Sequence, residues 1–152
     1  MIDNKEEITV THELMNKKSG RTTLINHGEV ATFLHKHLDE YGDKIDDIQK
    51  AIDYVFDQVG GFVLVQFIAQ EIAGVVVVNE TGMSGYIPEN ILVYIAMNKK
   101  FRGKGYGKLL MKNAIKVSEG DIALHVEKDN PARFLYEQLG FTNPYLEMRL
   151  KK

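Results

Sequence analysis

The chain contains no cysteine. That excludes a disulfide framework and a thiolate nucleophile, and it suits a reducing compartment. No apolar run reaches the roughly 20 residues needed to span a bilayer. The first residues, Met1-Ile2-Asp3-Asn4-Lys5-Glu6-Glu7, are charged where a secretory leader needs an apolar stretch. The expectation is a cytoplasmic protein with no membrane partner. A formal net charge of −2 at pH 7 lacks the basic excess of a general nucleic-acid binder. Internal repeats, low-complexity tracts and linker-like stretches are also missing. What remains is 152 residues of ordinary globular composition, enough for one domain over 1–152 with a real core.

Charge is small in sum but segregated. From Lys99 to Lys112 every charge is positive, whereas Asp39 to Asp57 is acidic, opposed only by Lys44 and Lys50. The periodicities predict one α+β domain with a mixed sheet flanked by helices, in the order β-α-α-β-β-β-α-β-α-β. Ile8–Val10 reads as a first strand, and the stretch from Thr11 to Ile25 shows no clear period. Asn26 can cap a helix whose face is Val30, Phe33, Leu34, His37, Leu38 and Tyr41. A second helix carries Ile45, Ile48, Ile52, Val55, Phe56 and Val59. Phe62–Ile68 and Ile72–Val78 are β-branched runs joined by a short link, as in a hairpin. Asn90–Met97 is the next strand, followed by a helix ending near Gly120 and a strand over Ile122–Val126. Asp129-Asn130-Pro131 begins a last helix that stops at Gly140, with Leu135 and Leu139 on its core face and Tyr136 off it toward an edge. Tyr145–Leu150 reads as a final strand.

The most telling stretch is Arg102-Gly103-Lys104-Gly105-Tyr106-Gly107, between a buried strand and an amphipathic helix. Glycines in such a turn leave backbone N–H groups uncovered. The helix start adds its own unpaired N–H groups and the positive end of its dipole, which together make a phosphate cradle. A P-loop needs Ser or Thr after its Gly-Lys pair, but Gly105 follows Lys104 and Leu109 follows Lys108. A dinucleotide fingerprint needs a glycine where this chain has Lys108.

Arg102-x-x-Gly105-x-Gly107 does match the Arg/Gln-x-x-Gly-x-Gly/Ala signature of GNAT-type N-acetyltransferases, and the chain resembles that family. A second block, Ile122 to Phe141, is similar to the family's acceptor-proximal motif, with its Asn-containing helix start and its Tyr-Glu-x-Leu-Gly-Phe ending. The resemblance implies a GNAT-like fold and a direct acetyl transfer from acetyl-CoA to a primary amine within a ternary complex. It implies that Arg102, Gly103, Lys104, Gly105, Gly107 and Lys108 hold the CoA pyrophosphate. It also implies that the strand through Ile95, Ala96 and Met97 pairs with the pantetheine arm, splayed from the following strand near a bulge. A backbone N–H near Ala96 or Met97 would hold the oxyanion. Tyr136 matches the tyrosine that protonates the departing thiolate. Asn130 matches a cofactor-side asparagine, with Asp129 as the alternative for that place.

For the general base the first candidate is Glu89, one pleat before the family's usual position, which is Ile91 here. Tyr94 and Glu71 follow it. The acceptor wall implied by the family carries acids with one aromatic, which points to a small cationic amine or polyamine near Tyr41 and Asp39, with a peptide amine next. His35 and His37 lie two apart on a helix and diverge, so no metal is expected. A catalytically silent acyl-CoA-binding module and a nucleotide-binding interaction protein are the competing readings. Exposed strand edges make a homodimer a further expectation.

Overall fold

The computed structural model describes residues 8–20, 26–57 and 59–152, and of His27 its backbone only. The charged stretch Met1–Glu7 and the last part of the unperiodic stretch, residues 21–25, lie outside them. Five strands form one sheet in the order β1-β2-β3-β4-β5: β1 (Val10–Met15), β2 (Gly61–Ile68), β3 (Glu71–Glu80), β4 (Asn90–Met97) and β5 (Ile122–Leu124). Neighbours pair antiparallel except β4 and β5, which are parallel. Helices α1 (His27–His37) and α2 (Ile45–Asp57) cover one face against Val63, Val65, Val75, Val77, Tyr94 and Ala96. Helices α3 (Tyr106–Val117) and α4 (Ala132–Gln138) cover the other, against Phe62, Leu64, Val76, Val78 and Leu92. The alternation along each strand explains the valine-rich runs, since both faces are buried.

The local signals act as their chemistry requires. Asn26 caps α1, its side chain accepting from the Glu29 backbone N–H at 2.7 Å. Ala69 and Gln70 form the two-residue turn between β2 and β3, both with positive φ, as a type I′ hairpin demands. Tyr41 leaves the α1 face and sits instead in a 3-10 turn, Asp39–Tyr41.

Three elements depart from expectation. The first strand is β1, which runs through Thr11–Met15 inside the stretch that showed no period. The strand expected over Ile122–Val126 stops at Leu124. The final strand expected over Tyr145–Leu150 does not form. That segment pairs with nothing among the described residues, and its side chains lie in solvent. A strand exists only where an edge accepts it, and this chain does not bring the segment to one.

Two irregularities shape β4. Its register with β3 shifts between Val77 and Val78, opposite Val93. The extra residue turns the strand, so Leu92 and Ile95 both join the α3 face while Tyr94 joins the α1–α2 face. On its other side β4 pairs with β5 only through Asn90–Leu92. From Val93 onward that edge of β4 has no strand beside it among the described residues. The two parallel strands thus part at the bulge.

Candidate active site

The sheet carries α3 to its place through a contact that the sequence alone did not expose. Gly74 stands in register between Gln66 of β2 and Met97 of β4. A Cβ at Gly74 would meet the sulfur of Met97 and, at 2.8 Å, the Leu110 side chain. Over this gap the fully buried Gln66 donates from Nε2 to the Tyr106 carbonyl at 3.2 Å. The same amide lies 3.1 Å from His12 Nε2, and Asn113 Nδ2 lies 3.4 Å from that nitrogen. Both amides donate there, so the His12 ring is neutral with Nε2 accepting. Burial lowers its pKa accordingly. The start of α3 is therefore held on the sheet by a polar clamp.

What α3 presents is a bare N-terminus. Its cap residue, Gly105, has φ +86° and offers no side-chain acceptor. Gly103 has φ +77°. A side chain at either position would be strained, and a Cβ there meets nothing within 4 Å, so the space over the turn is open. Leu109 makes the first intrahelical bond back to Gly105. The N–H groups of Tyr106, Gly107 and Lys108 precede it, in the turn whose donors a helix leaves unpaired. Gly107 is different: a Cβ there would make an ordinary 3.4 Å contact with Met97, so the fold itself tolerates one.

The cations around the turn divide into two sets. Lys99 pairs with Asp39 at 2.9 Å, and Lys100 pairs with Glu71 at 2.7 Å. Arg102 donates from Nε to the Met97 carbonyl at 3.0 Å, from one terminal nitrogen to the His37 carbonyl at 2.7 Å, and from the other to Asp39 at 3.3 Å. Arg102 is thus a clasp joining the β4 end to the last turn of α1. Lys104 and Lys108 have no anionic partner among the described residues.

Tyr136 is the buried side chain of α4. The sequence pattern made Leu135 and Leu139 its core face, but Tyr136 is the buried residue, 7 % exposed, while both leucines are half-buried. It packs in one cluster with Ile95 and Met97 of β4, and its ring meets Phe141 edge-on. Its hydroxyl has no protein partner among the described residues, and burial pushes its pKa up to about 12. The phenol keeps its proton across the physiological range. Asn130 closes the start of α4, its Oδ1 accepting from the Ala132 backbone N–H at 2.9 Å.

Tyr41 reaches across from the α1–α2 connection to the β5–α4 connection, donating to the Asp129 carbonyl at 3.4 Å. Its pKa is raised by burial first, then by Glu40, Glu127 and Asp129. An aromatic ring with three acids thus stands beside the β5–α4 connection. Asp39 is committed elsewhere, its carboxyl held below the usual range chiefly by its hydrogen bond with Lys99. Glu71 is likewise paired with Lys100. Tyr94 is buried and donates to Asp43 at 2.5 Å; burial and that carboxylate raise its pKa, so it holds its proton.

Glu89 is placed at the far end of β4 from the glycine turn. Its carboxylate accepts the Asp121 backbone N–H at 2.5 Å, and this bond lowers its pKa. A Cβ on Gly120 would strike the same carboxylate. Glu89 lines a cavity of about 490 Å³ together with Glu80, Glu119, Lys17 and Lys18. The structure does not bring it together with Tyr136, Tyr41 and the glycine turn. Among the described residues no three His, Asp or Glu side chains gather as a metal site, and no helix is long and apolar enough to cross a membrane.

Comparison with known proteins agrees with this geometry. The acetyltransferase (GNAT) family pattern matches residues 26–141. Among solved structures, the fold superposes on the aminoglycoside N-acetyltransferase AAC(6')-Iy in complex with CoA, at TM-score 0.69 and 14 % identity, covering 97 % of each chain. It also matches a ribosomal-protein-alanine N-acetyltransferase from Brucella melitensis biovar Abortus 2308, at TM-score 0.61 and 16 % identity over 95 % of this chain and all of the other. An aminoglycoside acetyltransferase from an uncultured soil metagenomic sample matches at TM-score 0.64 and 13 % identity, over 95 % of this chain and 99 % of the other. At these identities the structures speak for the fold, and the matched span, which includes both the glycine turn and Tyr136, speaks for the family: the chain belongs to the acetyltransferase (GNAT) family.

Proposed function

We propose that the protein transfers the acetyl group of acetyl-CoA to the primary amine of a small cationic acceptor. The observation that carries this reading is the unpaired edge of β4 running directly into the uncapped start of α3. One feature offers a row of backbone groups to an amide-bearing arm, and the other offers free N–H groups to a pyrophosphate. Both lie on one path, joined by the Lys99–Gly105 turn.

Acetyl-CoA would supply an acyl group activated as a thioester. Lys104, Lys108 and the amides of Tyr106–Lys108 would hold its phosphates. The Ile95–Met97 backbone would align its arm, with Ala96 or Met97 offering an N–H to a developing oxyanion. Tyr136 would hold a proton ready for the leaving sulfur, in a cluster that excludes water. Asn130 keeps the α4 start in place beside this path. Arg102 contributes by fixing the turn against α1 rather than by reaching into the cradle.

The acceptor class rests on Tyr41 and its neighbours. A ring flanked by Glu40, Glu127 and Asp129 attracts an ammonium both electrostatically and through its π face. Asp39 shapes this mouth through its ion pairs. The amine must lose a proton before attack, and we assign that step to water at the acidic mouth rather than to Glu89, whose carboxylate serves the Gly120–Asp121 turn. Release of CoA thiol in steady state, over a panel of mono-, di- and polyamines and a peptide amine, tests the reading. Amine-dependent release that falls sharply in Tyr136→Phe is expected. Tight acetyl-CoA binding with no release on any amine would instead make this a silent acyl-CoA-binding module.

A further inference from the structure

The polar clamp under α3 contains a group that the proposed chemistry leaves unused. Gln66 is fully buried, and its Oε1 has no hydrogen-bond partner among the described residues. An orphaned polar atom in a folded interior asks for a reason. The amide bonds through its nitrogen alone, which donates to the Tyr106 carbonyl at 3.2 Å and faces His12 Nε2 at 3.1 Å. That nitrogen stands between an acceptor that never changes and one that can gain a proton. The Tyr106 carbonyl and the Gly107 N–H belong to one planar peptide group, so fixing the direction of one fixes the other. Gln66 therefore aims the Gly107 N–H, one of the donors at the bare start of α3.

We propose that His12 and Gln66 are positioning residues of the cofactor cradle, and that a proton on His12 Nε2 releases the Tyr106 carbonyl from Gln66. The proposal rests on the reading of the α3 start as the acetyl-CoA phosphate site. With His12 neutral, Nε2 accepts one amide hydrogen of Gln66 and the other reaches Tyr106. With Nε2 protonated, its N–H points at the Gln66 amide hydrogens. A half turn of the amide relieves that conflict by bringing the orphaned Oε1 to the new N–H. The same half turn sets oxygen against oxygen at Tyr106, and the tether on the Tyr106–Gly107 peptide is lost. The proton comes from solvent, and no other covalent bond forms or breaks. Asn113, the second donor toward Nε2, also bonds the Leu109 carbonyl at 3.2 Å, so it stays paired when His12 is charged.

The surroundings of His12 favour the neutral ring. Opposite it, β2 carries no ionisable residue from Gly61 to Ile68. On β1 itself, strand alternation turns Glu13 to the other face of the sheet. From α3 the ring meets Asn113, which the exposed Lys112 and Lys116 flank along the helix. Burial lowers the His12 pKa below its ordinary 6.5. The neutral, engaged state is therefore the one present above 6.5, and it is lost as pH falls through the lowered pKa of the folded protein. Affinity for CoA follows the same sign, full on the alkaline side and declining on the acid side.

Two measurements test this. In isotope-labelled free protein, the His12 imidazole nitrogens and the Tyr106 carbonyl carbon should titrate together from about pH 8 to about pH 5, with a shared midpoint below the ordinary histidine value. Calorimetry with CoA reads the consequence. A phosphate monoester titrates in the same range, so each variant is compared with the unaltered chain at the same pH. His12→Gln keeps an oxygen acceptor for Gln66 and has no proton to gain. Its affinity relative to the unaltered chain should rise roughly 2- to 10-fold from the alkaline to the acid end, the worth of one hydrogen bond. Gln66→Met keeps the volume without the amide, and should weaken binding by a similar factor at the alkaline end. A Tyr106 carbonyl that ignores the His12 titration, or a His12→Gln ratio constant with pH, would overturn the proposal. CoA that binds at no pH would overturn the cofactor reading and the positioning role with it, whereas the joint titration of His12 and Tyr106 stands or falls on the free protein.

Discussion

Replacing Gly105 by alanine separates what the fold needs at the glycine turn from what a phosphate needs. The residue caps α3 at φ +86°. An alanine forced into that left-handed region costs about 1–2 kcal/mol. Its methyl meets no protein atom within 4 Å, so no packing penalty is added. For a chain of this length the loss lowers the melting temperature by about 2–8 °C. The methyl does enter the open space where phosphate oxygens would approach the α3 amides. Losing one charge-assisted hydrogen bond is worth about 1.5–3 kcal/mol, or roughly 10- to 150-fold in Kd. Gly107→Ala is the paired control. Its methyl lies at ordinary distance from Met97, inside a helix, where alanine is preferred over glycine by about 0.5–1 kcal/mol. Thermal unfolding and calorimetric titration with CoA read the two quantities separately. The expected result is Gly105→Ala folded, modestly less stable and much weaker for CoA, with Gly107→Ala at least as stable as the unaltered chain. A Gly105→Ala protein that loses stability but binds CoA unchanged would refute the cradle.

The remaining predictions concern the residues around the turn and the cleft. Lys104→Ala and Lys108→Ala should each weaken acetyl-CoA binding more than Lys100→Ala, which is occupied by Glu71, and the difference should shrink as salt is raised. Tyr136 has a folded pKa of about 12 against an ordinary 10.0. The native state therefore holds its proton when the unfolded chain has released it, so stability is full below pH 10 and falls by up to about 2–3 kcal/mol toward pH 12. Tyr136→Phe should remove part of that alkaline loss in denaturant titrations, leaving the part due to Tyr94, whose pKa is also raised. Glu89→Gln should lower the melting temperature by weakening the bond to Asp121, while the pH profile of kcat/KM stays as it was; a shifted profile would return Glu89 to the chemistry.

Much of this was readable from the residues, and the exceptions have physical causes. The glycine turn was legible because positive φ and uncovered amides select glycine, a one-residue requirement that no tertiary context can hide. The β2–β3 hairpin was legible from its β-branched runs. By contrast β1 was hidden because His12 and Glu13 interrupt its pattern, and His12 owes its place to amides on β2 and α3 that are distant in sequence. Tyr136 was singled out by motif and misplaced by periodicity: in a seven-residue helix the leucine spacing defines a face too coarsely, and the larger ring takes the interior. Arg102 was read for its place in the glycine turn, and the sequence did not show that its guanidinium serves the Met97 and His37 carbonyls and the Asp39 carboxylate. Planar donors go where several acceptors converge, and that convergence exists only in three dimensions. The Tyr145–Leu150 segment has a strand's alternation, but it pairs with no strand among the described residues.

The location of the acetyl-CoA site is the claim on which the rest depends, and amide shifts in an isotope-labelled protein titrated with acetyl-CoA test it most directly. The largest shifts are expected at Gly103–Lys108 and along Val93–Met97, with smaller ones at Tyr136 and Asn130. Shifts concentrated instead around Gly60, Glu80, Glu89 and Glu119, at the cavity beyond the other end of β4, would contradict it.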